Sequence, residues 1–226
     1  MRPLLLTLAL VLLAPAAHAQ RPDPNQPEGE NLQTPLSWVV RFDEGHSAHA
    51  APTVGADSTA DVFFVNMTPG WHITTGPAGI FYHPESTAEG TYRAETLLHL
   101  FDPEGRNEAF GLFIGGQDLD GDALTYDYFL LRNSGEFLIK RRTADETTTL
   151  HPWTPHDAIA TFGEDTESSA PNTLAVEVSE EEVVFLINDV EAARLPRAEV
   201  QTDGVVGLRI NHALNVHVEN LAVTEL

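Results

Sequence analysis

Cysteine is absent from this 226-residue chain. Its absence excludes a disulfide scaffold, thiolate metal sites, iron–sulfur clusters and a cysteine nucleophile, so burial alone must stabilise the fold. Cations are scarce too: 12 Lys and Arg stand against 34 Asp and Glu, a formal charge of −22. Phosphate backbones are held by clustered cations, so this balance predicts no nucleic-acid partner and disfavours an anionic membrane surface. Beyond the N-terminus no apolar run could span a bilayer, and no stretch shows helical periodicity for more than a turn or two.

What is present begins with a targeting pattern. Arg2 precedes the apolar run Leu4 to Leu13, and Ala17-His18-Ala19 fits a small-x-small cleavage site. This predicts a signal peptide over residues 1–19, a mature start at Gln20, and a secreted or periplasmic location. The apolar run is shorter than the ~20 residues of a transmembrane helix, so no membrane span is expected after cleavage. Residues 20–35 are polar and Pro-rich and predict a flexible linker. Residues 36–226 are expected to form one domain.

That domain reads as β throughout. Short apolar runs rich in Val, Ile, Phe, Thr and Tyr alternate with turn residues at 36–42, 61–67, 70–75, 79–83, 91–101, 108–116, 126–132 and 136–142. After an irregular stretch they resume at 172–178, 182–188, 190–195, 205–211 and 214–223. About thirteen strands in one domain point to an antiparallel sandwich or barrel. The central hairpin joins Tyr126–Arg132 to Glu136–Arg142 through Asn133-Ser134-Gly135, with Gly135 suited to the left-handed position. In that register Leu131 faces Phe137, Phe129 faces Ile139 and Arg132 faces Glu136. Tyr126, Tyr128, Leu130, Arg132, Leu138, Lys140 and Arg142 then share the opposite face.

The later strands carry a resemblance. Gly111-Leu112-Phe113-Ile114-Gly115-Gly116, the hairpin from Tyr128 to Arg142, Trp153 with His156, Phe185-Leu186-Ile187-Asn188-Asp189 and the closing Gly204 to His212 strand resemble the 3-keto-disaccharide hydrolase domain group. This group is glycoside hydrolase family 16-like and laminin-G-like, and the resemblance spans roughly residues 61–226. It implies a concanavalin A-like jelly roll. Ile114 stands where many such domains carry Arg or another polar residue, and no catalytic motif of the group transfers residue by residue.

Candidate chemistry divides into three sets. Sugar recognition needs aromatic surface and a few orienting polar groups. Tyr128, Arg132, Lys140 and Arg142 on the hairpin face, with Trp153 and His156 at its rim, are the candidate ligand-binding residues. Arg141 adds to a basic run that is unusual among so many acids. Asp118, Asp120 and Asp122 form either an acidic hairpin tip or a Ca²⁺ loop; Ala123 and Phe129 stand where an EF-hand needs Gly and Glu. The nine His of the expected mature chain form no His-Glu-x-x-His motif, though His212 and His217 flank one tight turn. The single-strand Glu-x-Asp-x-Glu patterns of retaining jelly-roll glycanases are missing. The expected function is therefore carbohydrate binding without catalysis. The alternatives are a hydrolase or lyase acting on 3-keto-glycosides and a protein-interaction module.

Overall fold

The computed structural model describes residues 32–43, 52–56 and 60–226. The expected signal peptide, most of the expected linker, and His46 and His49 lie outside the described residues. In chain order the strands are β1 (Val39–Phe42), β2 (Val54–Gly55), β3 (Val62–Asn66), β4 (Trp71–Thr75), β5 (Gly79–Ala88), β6 (Tyr92–Leu100), β7 (Ala109–Gln117), β8 (Thr125–Arg132), β9 (Glu136–Thr143), β10 (Glu146–Pro155), β11 (Ala170–Val178), β12 (Glu182–Ile187), β13 (Val190–Pro196), β14 (Gly204–Ile210) and β15 (Leu214–Glu225).

These strands form two sheets. One runs β1-β5-β14-β7-β8-β9-β10 and the other β13-β12-β11-β6-β15-β4-β3-β2. Pairing is antiparallel except between β2 and β3. The architecture is the concanavalin A-like jelly roll that the resemblance implied, and it meets the antiparallel sandwich or barrel expected from the alternating short runs. β12 and β13 meet in a two-residue turn at Asn188-Asp189, both with positive φ, the backbone that suits the twist of a tight hairpin.

The core lies between the sheets. Phe81, Phe110, Leu112, Ile114, Phe129, Leu131, Phe137, Ile139, Leu208 and Ile210 point inward from the seven-stranded sheet. They meet Phe64, Ile73, Leu98, Leu174, Val176, Phe185, Val216 and Val218 from the other. Trp38 and Trp71 meet with ring centroids 4.6 Å apart and planes tilted by 55°, and pack against this core. The central hairpin has the expected register, with Arg132 opposite Glu136, Leu131 opposite Phe137 and Phe129 opposite Ile139. Gly135 supplies the positive φ of the turn.

The irregular stretch expected after Arg142 is in part a ten-residue edge strand, β10. Its pairing with β9 shifts twice, between Thr149 and His151 and again between His151 and Thr154. Pro152 and these bulges break the two-residue alternation that would announce a strand.

The seven-stranded sheet also carries side chains on its outer face. Ile80, Tyr82, Phe113, Tyr126, Tyr128, Leu130 and Leu138 form a second apolar cluster there, with Leu119 and Leu124 folded over it from the 118–124 loop. Gly207 keeps β14 low enough for this layer: a Cβ there would sit 2.4 Å from Phe113 Cε1 and 2.7 Å from the Phe81 carbonyl oxygen. Gly207→Ala is expected to cost about 1–3 kcal/mol of stability through overpacking. Urea denaturation checks it, and an unchanged midpoint would show that Phe113 can move aside freely.

Candidate functional site

The outer face of the seven-stranded sheet holds the candidate site, and strand register fixes which residues reach it. One row runs Val39, Tyr82, Gly207, Phe113, Tyr128, Lys140, Thr149 across all seven strands. A neighbouring row runs Arg41, Ile80, Arg209, Gly111, Leu130, Leu138. Tyr126 pairs with Arg142, and Arg132 with Glu136, on the same face. Arg141 has the opposite parity: it binds the buried Asp127 through two hydrogen bonds of 2.7 Å and leaves the face.

The floor of the face is a charged network. Arg209 is 8 % exposed, and its guanidinium donates to both carboxylate oxygens of Asp43, at 3.0 and 2.5 Å. It also donates to the Tyr126 hydroxyl at 3.1 Å and lies 5.3 Å above the Tyr128 ring. Arg142 donates to Asp43 Oδ1 at 2.7 Å and to the Ala144 carbonyl at 2.8 Å. Burial pushes the Asp43 carboxyl up, but the hydrogen bond from Arg209 and the charges of Arg209, Arg142 and His212 outweigh it, and its pKa falls below the ordinary value. Burial works against the Arg209 charge as well; Asp43, Tyr126 and Tyr128 outweigh that and keep it protonated. Burial carries the Tyr128 hydroxyl up to about 12, with Arg209 opposing.

The rim is more open. Arg132 donates to Glu136 at 2.9 and 2.6 Å and stacks 4.2 Å over the half-buried Trp153 ring. Lys140, half-buried between Tyr128 and Thr149, has no ion pair or hydrogen-bond partner among the described residues. Tyr128 is 6 % exposed with Arg209 over its ring, so it belongs to the floor and not to an exposed stacking platform. His156 stands apart from this group. Its ring meets Phe137 edge-on at 5.9 Å, on the core side of β9, and its Nδ1 accepts from the Ala158 amide.

The three loop aspartates diverge. All three are exposed: Asp118 accepts from the Ala123 amide of its own loop at 2.9 Å, and Asp120 accepts from the Tyr82 hydroxyl at 2.5 Å. Arg41 pins the same loop by donating to the Leu119 and Gly121 carbonyls at 2.6 and 2.7 Å. Among the described residues no three His, Asp or Glu side chains are arranged to hold a metal ion. His212 and His217 serve different ends: His212 Nδ1 accepts from the Ala78 amide, while His217 stands in register between His72 and His99 across the eight-stranded sheet.

Sequence reasoning missed Arg209 and Asp43 as site residues. Alternation of Leu208 and Ile210 into the core was the available signal for Arg209, since it forces that arginine outward. Nothing local marks Asp43, whose partners lie 99 and 166 residues away.

Asp43→Asn is expected to cost about 3 kcal/mol at neutral pH, because Arg209 is left charged and buried without its counter-ion. The folded-state pKa of Asp43 is depressed, so its contribution is complete above about pH 4 and is lost as pH falls through the folded value. The stability gap between wild type and variant, read by urea denaturation, should close in that acid window. A gap that persists unchanged into strong acid would show that charge is not its source.

No family profile and no curated protein matches the chain. Among solved structures it is similar to the carbohydrate binding module CBM66 from Bacillus subtilis. That match has a TM-score of 0.57 and 9 % identity, and covers 85 % of this chain and 97 % of the module. It is similar also to a Bacteroides ovatus GH16 protein of a mixed linkage glucan PUL, seen in complex with its G4G4G3G product. There the TM-score is 0.53 and the identity 8 %, over 83 % of this chain and 94 % of that one. At such identities the likeness establishes the sandwich fold. Among the described residues no helix is long and apolar enough to cross a membrane.

Proposed function

We propose that the chain is an exported carbohydrate-binding β-sandwich that takes its ligand on the outer face of the seven-stranded sheet, along the rim formed by Trp153, Arg132 and Lys140. The observation that carries this is the pairing of a half-buried aromatic–guanidinium contact with an ammonium that has no partner among the described residues, on one face above an immobilised floor. A sugar ring offers an apolar C–H face and a border of hydroxyls. Partly exposed aromatic edges and fixed donors answer those two needs. The floor supports the rim by rigidity: Asp43, Arg209, Arg142, Tyr126 and Tyr128 hold one another, so little ordering entropy is left for binding to cost.

The same floor weighs against catalysis on 3-keto-glycosides. Such chemistry needs a base free to take a proton. Asp43 is engaged by two arginines and held below its ordinary pKa, which makes it a weak one. The separate similarity to a sugar-binding module and to a sugar-bound GH16 protein is compatible with a carbohydrate ligand and leaves the site to be decided by its own residues.

The test is a thermal-shift and calorimetric screen of the mature protein against neutral and acidic oligosaccharides. A ligand of the folded state raises the melting temperature. Trp153→Ala is expected to weaken the binding found by tenfold or more, about 1.4 kcal/mol, with the circular dichroism spectrum unchanged. A screen in which no saccharide shifts the melting temperature, or full affinity in the Trp153 variant, would sink the assignment.

A further inference from the structure

We infer that the ligand is an acidic oligosaccharide, bearing a uronate carboxylate that Lys140 receives; this rests on the binding face proposed above. Charge distribution is the first observation. Five of the chain's 12 Lys and Arg side chains (Arg41, Arg132, Lys140, Arg142 and Arg209) occupy this one face or its rim. The carboxylates of the same face, and of the 118–124 loop that folds over it, are Asp43, Asp118, Asp120, Asp122, Glu136, and Asp145 at 3.9 Å from Arg142. The face is thus close to balanced, and enriched in cations relative to a chain where acids outnumber bases nearly three to one.

An unsatisfied donor is the second observation. Arg209 Nε is buried without a hydrogen-bond partner among the described residues, but it belongs to the floor, out of a ligand's reach. Lys140, half-buried, has no acceptor among the described residues. Buried or half-buried cationic donors without acceptors are costly to keep, and a ligand that brings an acceptor removes that cost. Geometry supplies the third observation. Arg142 lies two residues from Lys140 along β9 and therefore points to the same face, and it already binds a carboxylate, that of Asp43. Neutral sugars use hydroxyls and leave an ammonium without its counter-ion; a uronate does not.

The face also sets the ligand's length. Tyr128, the neighbour of Lys140, is four residues from Arg132 along β8, or about 13 Å. Trp153 falls between these two positions, beside Leu138, so a ligand that engages Lys140, Trp153 and Arg132 together runs along the strands, which suits an oligomer better than a single ring.

The experiment compares a short oligogalacturonate with its methyl ester, which keeps the chain and removes the charge. Calorimetry is run on the mature protein at about 0.15 M salt, where a Debye length of ~8 Å screens the remote acidic residues and spares contact pairs. The acid is expected to bind at least about tenfold more tightly than the ester, the effect of one charge-assisted hydrogen bond. Lys140→Gln should abolish that preference and Lys140→Arg should retain it, with melting temperatures of both variants close to wild type. Equal affinity for acid and ester, or a preference that survives in Lys140→Gln, overturns the inference. If only neutral glycans bind, and do so through Trp153, the acidic ligand is wrong and the carbohydrate-binding face stands. If no saccharide binds at all, both fall together.

Discussion

Asp43 ties distant strands of the seven-stranded sheet together across its outer face. It follows β1 at one edge, yet it contacts Arg209 on the third strand and Arg142 on the sixth. In a flat sheet five strand spacings amount to about 24 Å, beyond the reach of one arginine and one aspartate. The contact at 2.7 Å therefore requires the sheet to curl and its outer face to be concave. Curling of this kind follows from strand twist and from the irregular pairings of β14 and β10. The carboxylate then draws three distant strands together at a point where all the charged groups involved are largely withdrawn from water.

That arrangement explains why the face has a floor and a rim. A lone arginine on a central strand would pay the cost of burial without return. Arg209 avoids this by sharing Asp43 with Arg142, by donating to Tyr126 and by lying across Tyr128. The outcome removes Tyr128 and Arg142 from free solvent and leaves Trp153, Arg132 and Lys140 as the groups that still meet it. Clustered rings and cations on a sheet face therefore do not all act in the same way. Those that satisfy one another become structure, and those left over are available to a ligand.

Much of this was legible in the sequence, and the reasons are local. Strand alternation placed Tyr126, Tyr128, Arg132, Lys140 and Arg142 on one face, because Phe129, Leu131, Phe137 and Ile139 had to point into the core. Gly135 announced its turn through the left-handed backbone conformation that glycine tolerates. What was not legible depends on contacts between distant segments. β10 hid behind Pro152 and two register shifts. The aspartates of residues 118–122 looked like one cluster, but Tyr82 takes Asp120 while Asp118 turns back to its own loop. His156 followed Trp153 closely in sequence and still faces Phe137 on the other side of β9.

The charge of −22 and the proposed role of Lys140 are not in conflict, because they act over different distances. Remote acids contribute a diffuse repulsion that salt removes beyond about 8 Å. An ammonium half-withdrawn from water acts at contact, where screening is weakest and a charge-assisted hydrogen bond is strongest. The acidic exterior keeps the chain soluble and discourages indiscriminate adhesion of anions. On the proposed binding face, only a ligand that presents an acceptor to Lys140, which has no partner among the described residues, gains more than it loses. Selectivity of this kind comes from the penalty everywhere else on the surface as much as from attraction at Lys140, and it does not require a large net positive patch.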